Sequence, residues 1–201
     1  MSNSKGKIFV FSAPSGAGKT TIVKYILKTF PEIIFSVSAT TRKKRENETD
    51  GVDYFFITED EFLKKIQEDD FIEWEKFYDY YYGSLKSFVN NKLSEGKSVL
   101  FELDVKGALN IKKIYPEAIL IYVMPPSIEE LERRLRNRAT ETEADFKKRI
   151  ERADMELALK DNFDYIIVND VLEKALSDAK KIVEENIIKI DRSKANADST
   201  C

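Results

Sequence analysis

The chain has 201 residues with 42% hydrophobic and 34% charged side chains and a formal net charge of −3, a globular balance long enough for one α/β domain with insertions and a substantial core. It has no histidine, and its single cysteine is Cys201; this excludes an internal disulfide, cysteine-based metal clusters, most zinc sites and the usual histidine triads, and fits a reducing cytosol. There is no global basic field for nucleic acid or a membrane, no apolar run of membrane-spanning length, and an N-terminal MSNSKGK that leads into a strand rather than a secretory signal, so a cytoplasmic protein is expected, with any phosphate ligand held by local basic clusters.

The first element is the most informative. Ile8 to Phe11 form a short apolar run that enters the loop Ala13-Pro14-Ser15-Gly16-Ala17-Gly18-Lys19-Thr20-Thr21. Ile22, Val23, Ile26, Leu27 and Phe30 then follow at helical spacing. Strand, glycine-bearing loop and helix are the context that a phosphate-binding loop requires. Gly16 and Gly18 let several backbone N–H groups point inward, and the positive end of the following helix completes an anion nest. Lys19 can reach the β- and γ-phosphates of a nucleotide, and the Thr20 hydroxyl can ligate Mg²⁺. Ala13 stands where the first glycine of the usual pattern is expected.

Residues 36–84 break the rhythm. They are rich in tyrosine, phenylalanine and charge, in short alternating segments, and read as a small mixed-strand insertion. In Phe71-Ile72-Glu73-Trp74-Glu75 the alternation puts Ile72 and Trp74 on one face and Glu73 and Glu75 on the other. Three more continuous apolar runs follow at 99–101, 119–123 and 166–168, a pattern that suits strands buried on both faces of a parallel sheet. Helical patterns separate them over Leu85–Leu93 and Val105–Ile114. Pro125-Pro126 stops the third run, and Ser127 with Glu130 predicts a capping box for a helix over Ser127–Arg138.

A second charged helix carries the narrow apolar stripe Phe146, Ile150, Ala153 and Leu157. With a break near Ala139-Thr140, the pair reads as a mobile hairpin over a site. Leu172, Ala175, Leu176, Ala179, Ile182, Val183 and Ile187 line one stripe of the last helix. The tail Asp191–Cys201 is almost devoid of apolar residues and is expected to be disordered. Strands alternating with helices predict a doubly wound α/β core.

The second chemical stretch is Ser36-Val37-Ser38-Ala39-Thr40-Thr41-Arg42-Lys43-Lys44-Arg45. Hydroxyls and closely spaced cations match a phosphate surface, and arginine suits bidentate contact with its oxygens. Followed by Asp50-Gly51-Val52-Asp53-Tyr54-Phe55, it is more than a solvated basic loop.

With these motifs the chain resembles the guanylate kinase family from about Lys7 to about Ile188. The residues that carry the resemblance are APSGAGKTT, SVSATTR with an arginine three residues on, DGVDYFF, DFIEWEKF, YYGS, ELDVKGA, PPSIEELERRLRNR and FDYIIVND. The joint order of these motifs, more than any one of them, makes the match specific. The resemblance implies a P-loop three-layer fold with a parallel central sheet (1–35 with 88–126 and 160–190), a mixed α+β GMP-binding insertion (36–87), a helical lid (127–159) and a tail (191–201).

The resemblance also implies site residues. Ser38, Arg42, Arg45, Tyr54 and Tyr82 would hold the GMP phosphate. Glu73, Ser84 and Asp104 would read guanine, whose N1–H and N2–H₂ donors suit carboxylates and whose O6 suits the Ser84 hydroxyl. Adenine, with an acceptor at N1, would leave a carboxylate unpaired at a cost of about 1–3 kcal/mol or more. Lys19, Thr20 and the loop would serve ATP and Mg²⁺, with Asn169 as an adenine-side contact. Arg134 and Arg138 share a helix face, and with Arg149 they resemble the family's lid arginines.

Structural alternatives stand beside several of these assignments. Glu73 could be an exposed strand carboxylate, Asp104 a helix N-cap, Asn169 a turn residue, and the lid arginines ion-pair partners of Glu130 and Glu141, the reading preferred for Arg133 and Arg136. Glu102 stands where the family usually has Asp near the phosphates and Mg²⁺, which makes it a candidate metal ligand, directly or through water. Lys44 replaces a frequent Pro and Asn47 a frequent Gly, which makes the loop between Arg42 and Tyr54 less rigid.

The activity implied is ATP + GMP giving ADP + GDP, part of purine nucleotide metabolism and GMP recycling. ATP and GMP, or dGMP, are the expected substrates and Mg²⁺ the cofactor, with no nucleic acid or membrane partner. The sequence is compatible with a homodimer but does not require one. The nucleophile would be a GMP phosphate oxygen, already largely ionised because its second pKa is about 6, so a histidine-free chain needs no base. Two rival readings are disfavoured: a kinase for a ribose bisphosphate, which would need no guanine readers, by Glu73, Ser84 and Asp104, and a non-catalytic interaction module, which would lack a working phosphate loop, by the intact loop.

Overall fold

A computed structural model of the chain describes residues 6–77, 79–136 and 143–197. In chain order the elements are β1 (Ile8–Ser12), α1 (Lys19–Thr29), β2 (Ile34–Phe35), β3 (Ala39–Thr40), β4 (Phe55–Phe56), α2 (Glu59–Gln67), β5 (Phe71–Phe77), β6 (Tyr80–Leu85), α3 (Lys86–Ser94), β7 (Val99–Leu103), α4 (Val105–Ile114), β8 (Ile119–Met124), α5 (Ile128–Arg136), α6 (Glu143–Leu157), a 3-10 turn (Lys160–Asn162), β9 (Tyr165–Val168) and α7 (Leu172–Ala197).

The four apolar runs are β1, β7, β8 and β9. With the short β2 they form a five-stranded, all-parallel sheet in the order β2-β7-β1-β8-β9. Successive side chains point to opposite faces. Phe9, Phe11, Ile121, Val123 and Ile167 meet Ile22, Val23 and Ile26 of α1 and Ala175, Ala179 and Val183 of α7 on one side. Val10, Val99, Phe101, Leu120 and Tyr122 meet Val89 of α3 and Val105, Ala108 and Ile111 of α4 on the other. In β1, β7 and β8 the runs are continuous because both faces are covered, and each large side chain so buried contributes about 1.5–3 kcal/mol; β9, at the sheet edge, departs from the expectation, with Ile167 buried but Ile166 and Val168 each 43% exposed.

The insertion carries a second sheet of four short strands, in the order β4-β3-β6-β5. Its own small core gathers Ala39, Phe62, Phe71 and Leu85. Phe62 of α2 stacks on Phe71 at 4.2 Å and on Tyr81 at 5.2 Å between ring centroids. The helix α2 starts on a full capping box: Thr58 accepts from the Glu61 backbone N–H, and the Glu61 carboxylate accepts from that of Thr58. The alternation expected in β5 is modified by a register shift between Phe71 and Glu73. Phe71 and Ile72 are therefore both buried, Phe71 in the insertion core and Ile72 in the main core. Trp74 lies 46% exposed instead of sharing Ile72's burial.

Two other expectations are corrected. The Ser127 hydroxyl accepts from the Glu130 N–H at 3.2 Å, but the Glu130 carboxylate turns to Arg133 and Arg134, whose charge outbids the backbone N–H for it. The capping box is thus half formed. Residues 191–197, expected to be disordered, continue α7; no Gly or Pro interrupts 172–197, and Ala, Arg and Lys favour helix even without an apolar stripe. In the charged hairpin, Leu131, Leu135, Phe146 and Ala153 form one small core, while Leu157 joins the main core. The helix end and break expected at 137–142, with Arg138 and Glu141, lie outside the described residues. Among the described residues no helix is long and apolar enough to cross a membrane.

Candidate active site

In an open parallel sheet, ligands bind where the loops leave the C-terminal ends of the strands. Here β1 ends at Ser12, in register with Leu103 of β7 and Tyr122 of β8. The loop after β1 therefore lies beside the Leu103-Asp104 step into α4. In that loop Gly16 and Gly18 have φ of 92° and 91°, left-handed values that a β-carbon disfavours. A side chain on Gly18 would also strike the Asn169 amide, 2.3 Å from an ideal Cβ. Asn169 follows β9, is 6% exposed, and donates to the Ala17 carbonyl at 2.7 Å. It braces the loop from behind, a role that neither the adenine-side contact nor the turn reading anticipated, and it is not among the residues that line the clefts over the loop and between the sheets.

Lys19 opens α1 and donates from Nζ to the Leu103 carbonyl at 2.7 Å. Burial lowers its pKa, against the raising effect of Glu102, Asp104 and Glu156. Thr20 donates to Glu102 Oε1 at 2.5 Å. Glu102 thus reaches the helix start despite its extra methylene. A hydroxyl and a carboxylate side by side, facing a phosphate site, are a donor set suited to Mg²⁺, which takes one or two carboxylates together with substrate phosphates. Among the described residues no cluster of three acidic, Cys or His side chains offers a self-sufficient metal cage.

A cleft of about 500 Å³ opens over the loop. Ala13, Pro14, Ser15, Gly16, Gly18, Lys19, Thr20 and Thr21 line one wall. Asp104 and the α6 residues Arg149, Arg152 and Glu156 complete it. Arg149 donates to the Ser15 hydroxyl at 3.0 Å, so the lid arginine expected on the second helix sits at the phosphate loop. Arg134 instead bonds to Glu130 Oε1 at 2.7 Å and to the Asn169 carbonyl at 3.0 Å. It stands at the edge of the loop's support and is not part of the cleft wall.

A second cleft of about 400 Å³ lies between the two sheets. Ser36, Ser38, Asp53, Tyr54, Glu73, Glu75, Ser84 and Glu102 line it, together with Lys19 and Asp104. Lys19 and Asp104 thus belong to both clefts. Strand register brings Glu73 opposite Ser84, and the fully buried Ser84 hydroxyl donates to Glu73 Oε1 at 2.8 Å. Glu73 is therefore not an exposed strand carboxylate. Burial pushes its carboxyl pKa up against the Ser84 hydrogen bond, and the Asp104 and Glu75 charges push it further. Ser84 has one hydroxyl proton, and here it goes to Glu73. Its role in this arrangement is to orient that carboxylate rather than to offer a proton to the cleft.

Asp104 is the N-cap of α4, accepting from the Gly107 N–H at 2.8 Å through Oδ1. That structural alternative is realised, yet Oδ2 remains on the cleft side, where Arg152 holds it at 2.7 Å. The basic stretch is partly turned inward. Arg42 makes a fork-like pair with Glu48 at 2.7 and 2.9 Å, and its guanidinium lies 5.4 Å from the Tyr54 ring centroid. Arg42 and the Arg45 backbone N–H hold the Glu48 carboxyl down to about 2, and Glu48 with the neighbouring Tyr82 raises Arg42 further. Tyr54 and Tyr82 meet edge to face at 6.1 Å. Arg42 and Tyr82 thus adjoin the cleft through Tyr54, while the Arg45 side chain is exposed on its loop.

Sequence reasoning missed Glu48, Asp53, Glu75, Arg152 and Glu156. For Arg152 a signal existed, because it stands three residues after Arg149 and four before Glu156, on one helical face. Glu48 gave none, since its pairing with Arg42 depends on how the intervening loop turns.

The family model described as guanylate kinase matches residues 5–186. The chain is 49% identical over 189 residues to a guanylate kinase of Thermotoga maritima, covering 94% of this chain and 91% of that one. It is 42% identical over 190 residues to a guanylate kinase of Caldanaerobacter subterraneus, at 94% and 92% coverage. The crystal structure of guanylate kinase from Anaplasma phagocytophilum superposes with a TM-score of 0.68 at 29% identity, covering 92% of this chain and 88% of that one. The chain belongs to the guanylate kinase family.

Proposed function

We propose that the chain transfers the terminal phosphoryl group of ATP to GMP, giving ADP and GDP. The observation that carries this reading is the pair of clefts meeting at Lys19, one walled by the phosphate loop and the other by the Glu73–Ser84 pair. A hydrolase or a binding module would have no use for a second, carboxylate-lined cleft sharing the phosphate-binding lysine.

The ATP phosphates lie along residues 13–21, against backbone N–H groups and the start of α1. Lys19 holds the oxygens that gain charge as the bond to the leaving ADP breaks. Thr20 and Glu102 would hold Mg²⁺, Glu102 directly or through water, and the ion would supply neutralisation of phosphate charge. In the second cleft Glu73 and Asp104 accept the guanine N–H donors, and Ser38 and Tyr54, with Arg42, Arg45 and Tyr82 from the adjoining loop and strand, hold the GMP phosphate. Arg42 must exchange Glu48 for the phosphate dianion, a swap of one bidentate anion for another. A GMP phosphate oxygen attacks in line and is already largely ionised near neutral pH, its second pKa being about 6. Catalysis is therefore positioning plus charge stabilisation, with Arg149 and the other lid arginines closing over the phosphates.

The test is a coupled assay of ADP formation across AMP, GMP, CMP and UMP, with dGMP alongside. The expected result is Mg²⁺-dependent turnover with GMP that exceeds the other bases by at least about tenfold, the scale of one lost charged hydrogen bond. Equal rates with AMP or CMP would refute the reading.

A further inference from the structure

Arg152 lines the first cleft and holds Asp104, the carboxylate that both clefts share. It lies on α6, the helix that walls the first cleft, and its side chain is 60% exposed. Its guanidinium is divided between two carboxylates. Nε donates to Glu156 Oε1 at 2.8 Å within the helix, and Nη2 donates to Asp104 Oδ2 at 2.7 Å. Asp104 is held from its other side by the Gly107 N–H on Oδ1. Its carboxylate is thus clamped between the α4 backbone and the α6 arginine, in the wall that both clefts share.

We propose that Arg152 is a positioning residue for the acceptor nucleotide: from the helix that walls the ATP cleft, it fixes the orientation of the Asp104 carboxylate that faces GMP. The proposal rests on the ATP-to-GMP reading. Glu156, one turn further along α6 and 9% exposed, fixes Arg152 in turn, so the carboxylate's direction is set by a relay of three side chains. The consequence runs against the obvious expectation for an arginine in this place. A phosphate-binding arginine on the ATP side should affect ATP; Arg152 affects GMP. An ion pair this exposed adds little to folding stability, so its loss is read in kinetics rather than in unfolding.

The experiment is steady-state kinetics on the full chain with Arg152→Met, Arg152→Lys, Asp104→Asn and the Arg152→Met/Asp104→Asn double variant, varying ATP and GMP separately. For Arg152→Met the KM for GMP is expected to rise roughly fivefold, the upper range for an exposed charge pair, with the KM for ATP changed less than about twofold. Arg152→Lys should recover part of the loss, since a lysine can pair with Asp104 but cannot bridge to Glu156 with the same fork. In the Asp104→Asn background, Arg152→Met should add no further change, because the two residues act through one contact. A rise confined to ATP, an equal rise for both nucleotides, or an undiminished effect in the Asp104→Asn background would overturn the proposal. An Arg152→Lys variant indistinguishable from Arg152→Met would count against it as well; should the methionine variant fold poorly, Arg152→Lys alone decides, a rise in KM confined to GMP supporting the proposal and an unchanged or ATP-confined KM overturning it. Absence of GMP-dependent turnover in the unsubstituted chain is a different result: it removes the ATP-to-GMP reading itself, and this proposal with it.

Discussion

The two clefts that meet at Lys19 are made of different material. The first is mostly backbone: one unbroken run between β1 and α1 supplies its floor, and its curvature rests on two glycines with positive φ. The second is mostly side chain, gathered from β5, β6, the loop after β2 and the step from β7 into α4. Phosphate is an anion that any set of converging N–H groups satisfies, so a contiguous loop is enough. A base has an edge with a fixed order of donors and acceptors. Reading it takes carboxylates and hydroxyls at set distances, which only strand register and packing can supply. Glu73 and Ser84 are eleven residues apart in sequence and 2.8 Å apart across β5 and β6.

The largest effect that separates the two materials is expected at Lys19, the side chain they share. Lys19→Met should lower kcat by about 10²–10³-fold, the scale of removing one preorganised charge-stabilising donor. The fold should survive, because the strand and helix flanking the loop keep their buried faces. Single-turnover kinetics with a circular dichroism control checks this. If Lys19 belonged to the ATP cleft alone, the loss would fall mainly on the KM for ATP and leave kcat intact.

A smaller and more selective effect is expected at Glu73. Loss of a hydrogen bond to a charged group is worth about 1.5–3 kcal/mol, so Glu73→Gln should weaken GMP about 10- to 100-fold and ATP hardly at all. Stability should move the other way. The folded pKa of Glu73 lies above its ordinary 4.5, so the folded chain keeps this proton to a higher pH than the unfolded chain does. The penalty for the buried charge therefore sets in as pH rises past the unfolded value and grows until pH passes the raised folded value. Glu73→Gln should unfold at an equal or higher denaturant midpoint at pH 7, and the difference should vanish below pH 4. Loss of stability at pH 7 would mean that Glu73 is a structural residue and not a buried charge held for a ligand.

The same contrast decides what the sequence could reveal. The first cleft was legible because it is local: Ile8 to Thr21 carry strand, loop and helix start in one line. The main sheet was legible too, because β1, β7 and β8 are covered on both faces and read as unbroken apolar runs, and the edge strand β9 keeps such a run although Ile166 and Val168 are exposed. β2, with two residues, is too short to carry any period. In the insertion, α2 was unlocated even though Thr58 and Glu61 form a capping box, since its apolar stripe reduces to Phe62 with Ile66 in a charged background. The candidate base readers came from the resemblance rather than from pattern. That Asp104 would cap α4 and accept Arg152 at once needs two helices to be placed, and no spacing rule states it.

The smallest effect tests whether the insertion is a separate cooperative unit, as its side-chain construction implies. Thr58→Ala removes the α2 N-cap, at a cost of about 1 kcal/mol, which lowers Tm by about 2–4 °C for a chain of this size. Helix α2 has one buried anchor, Phe62, and it sits on Phe71 and Tyr81, not on the parallel sheet. The lost stability should therefore appear first as local opening of α2, β5 and β6, with faster amide exchange there and unchanged exchange in β1, β7 and β8. The KM values for both nucleotides should stay within about twofold of the original, because neither Thr58 nor Glu61 lines a cleft. Uniformly faster exchange in both sheets would mean that one core supports both clefts. The shared wall at Lys19 and Asp104 would then be a seam within a single unit, not the place where two units meet.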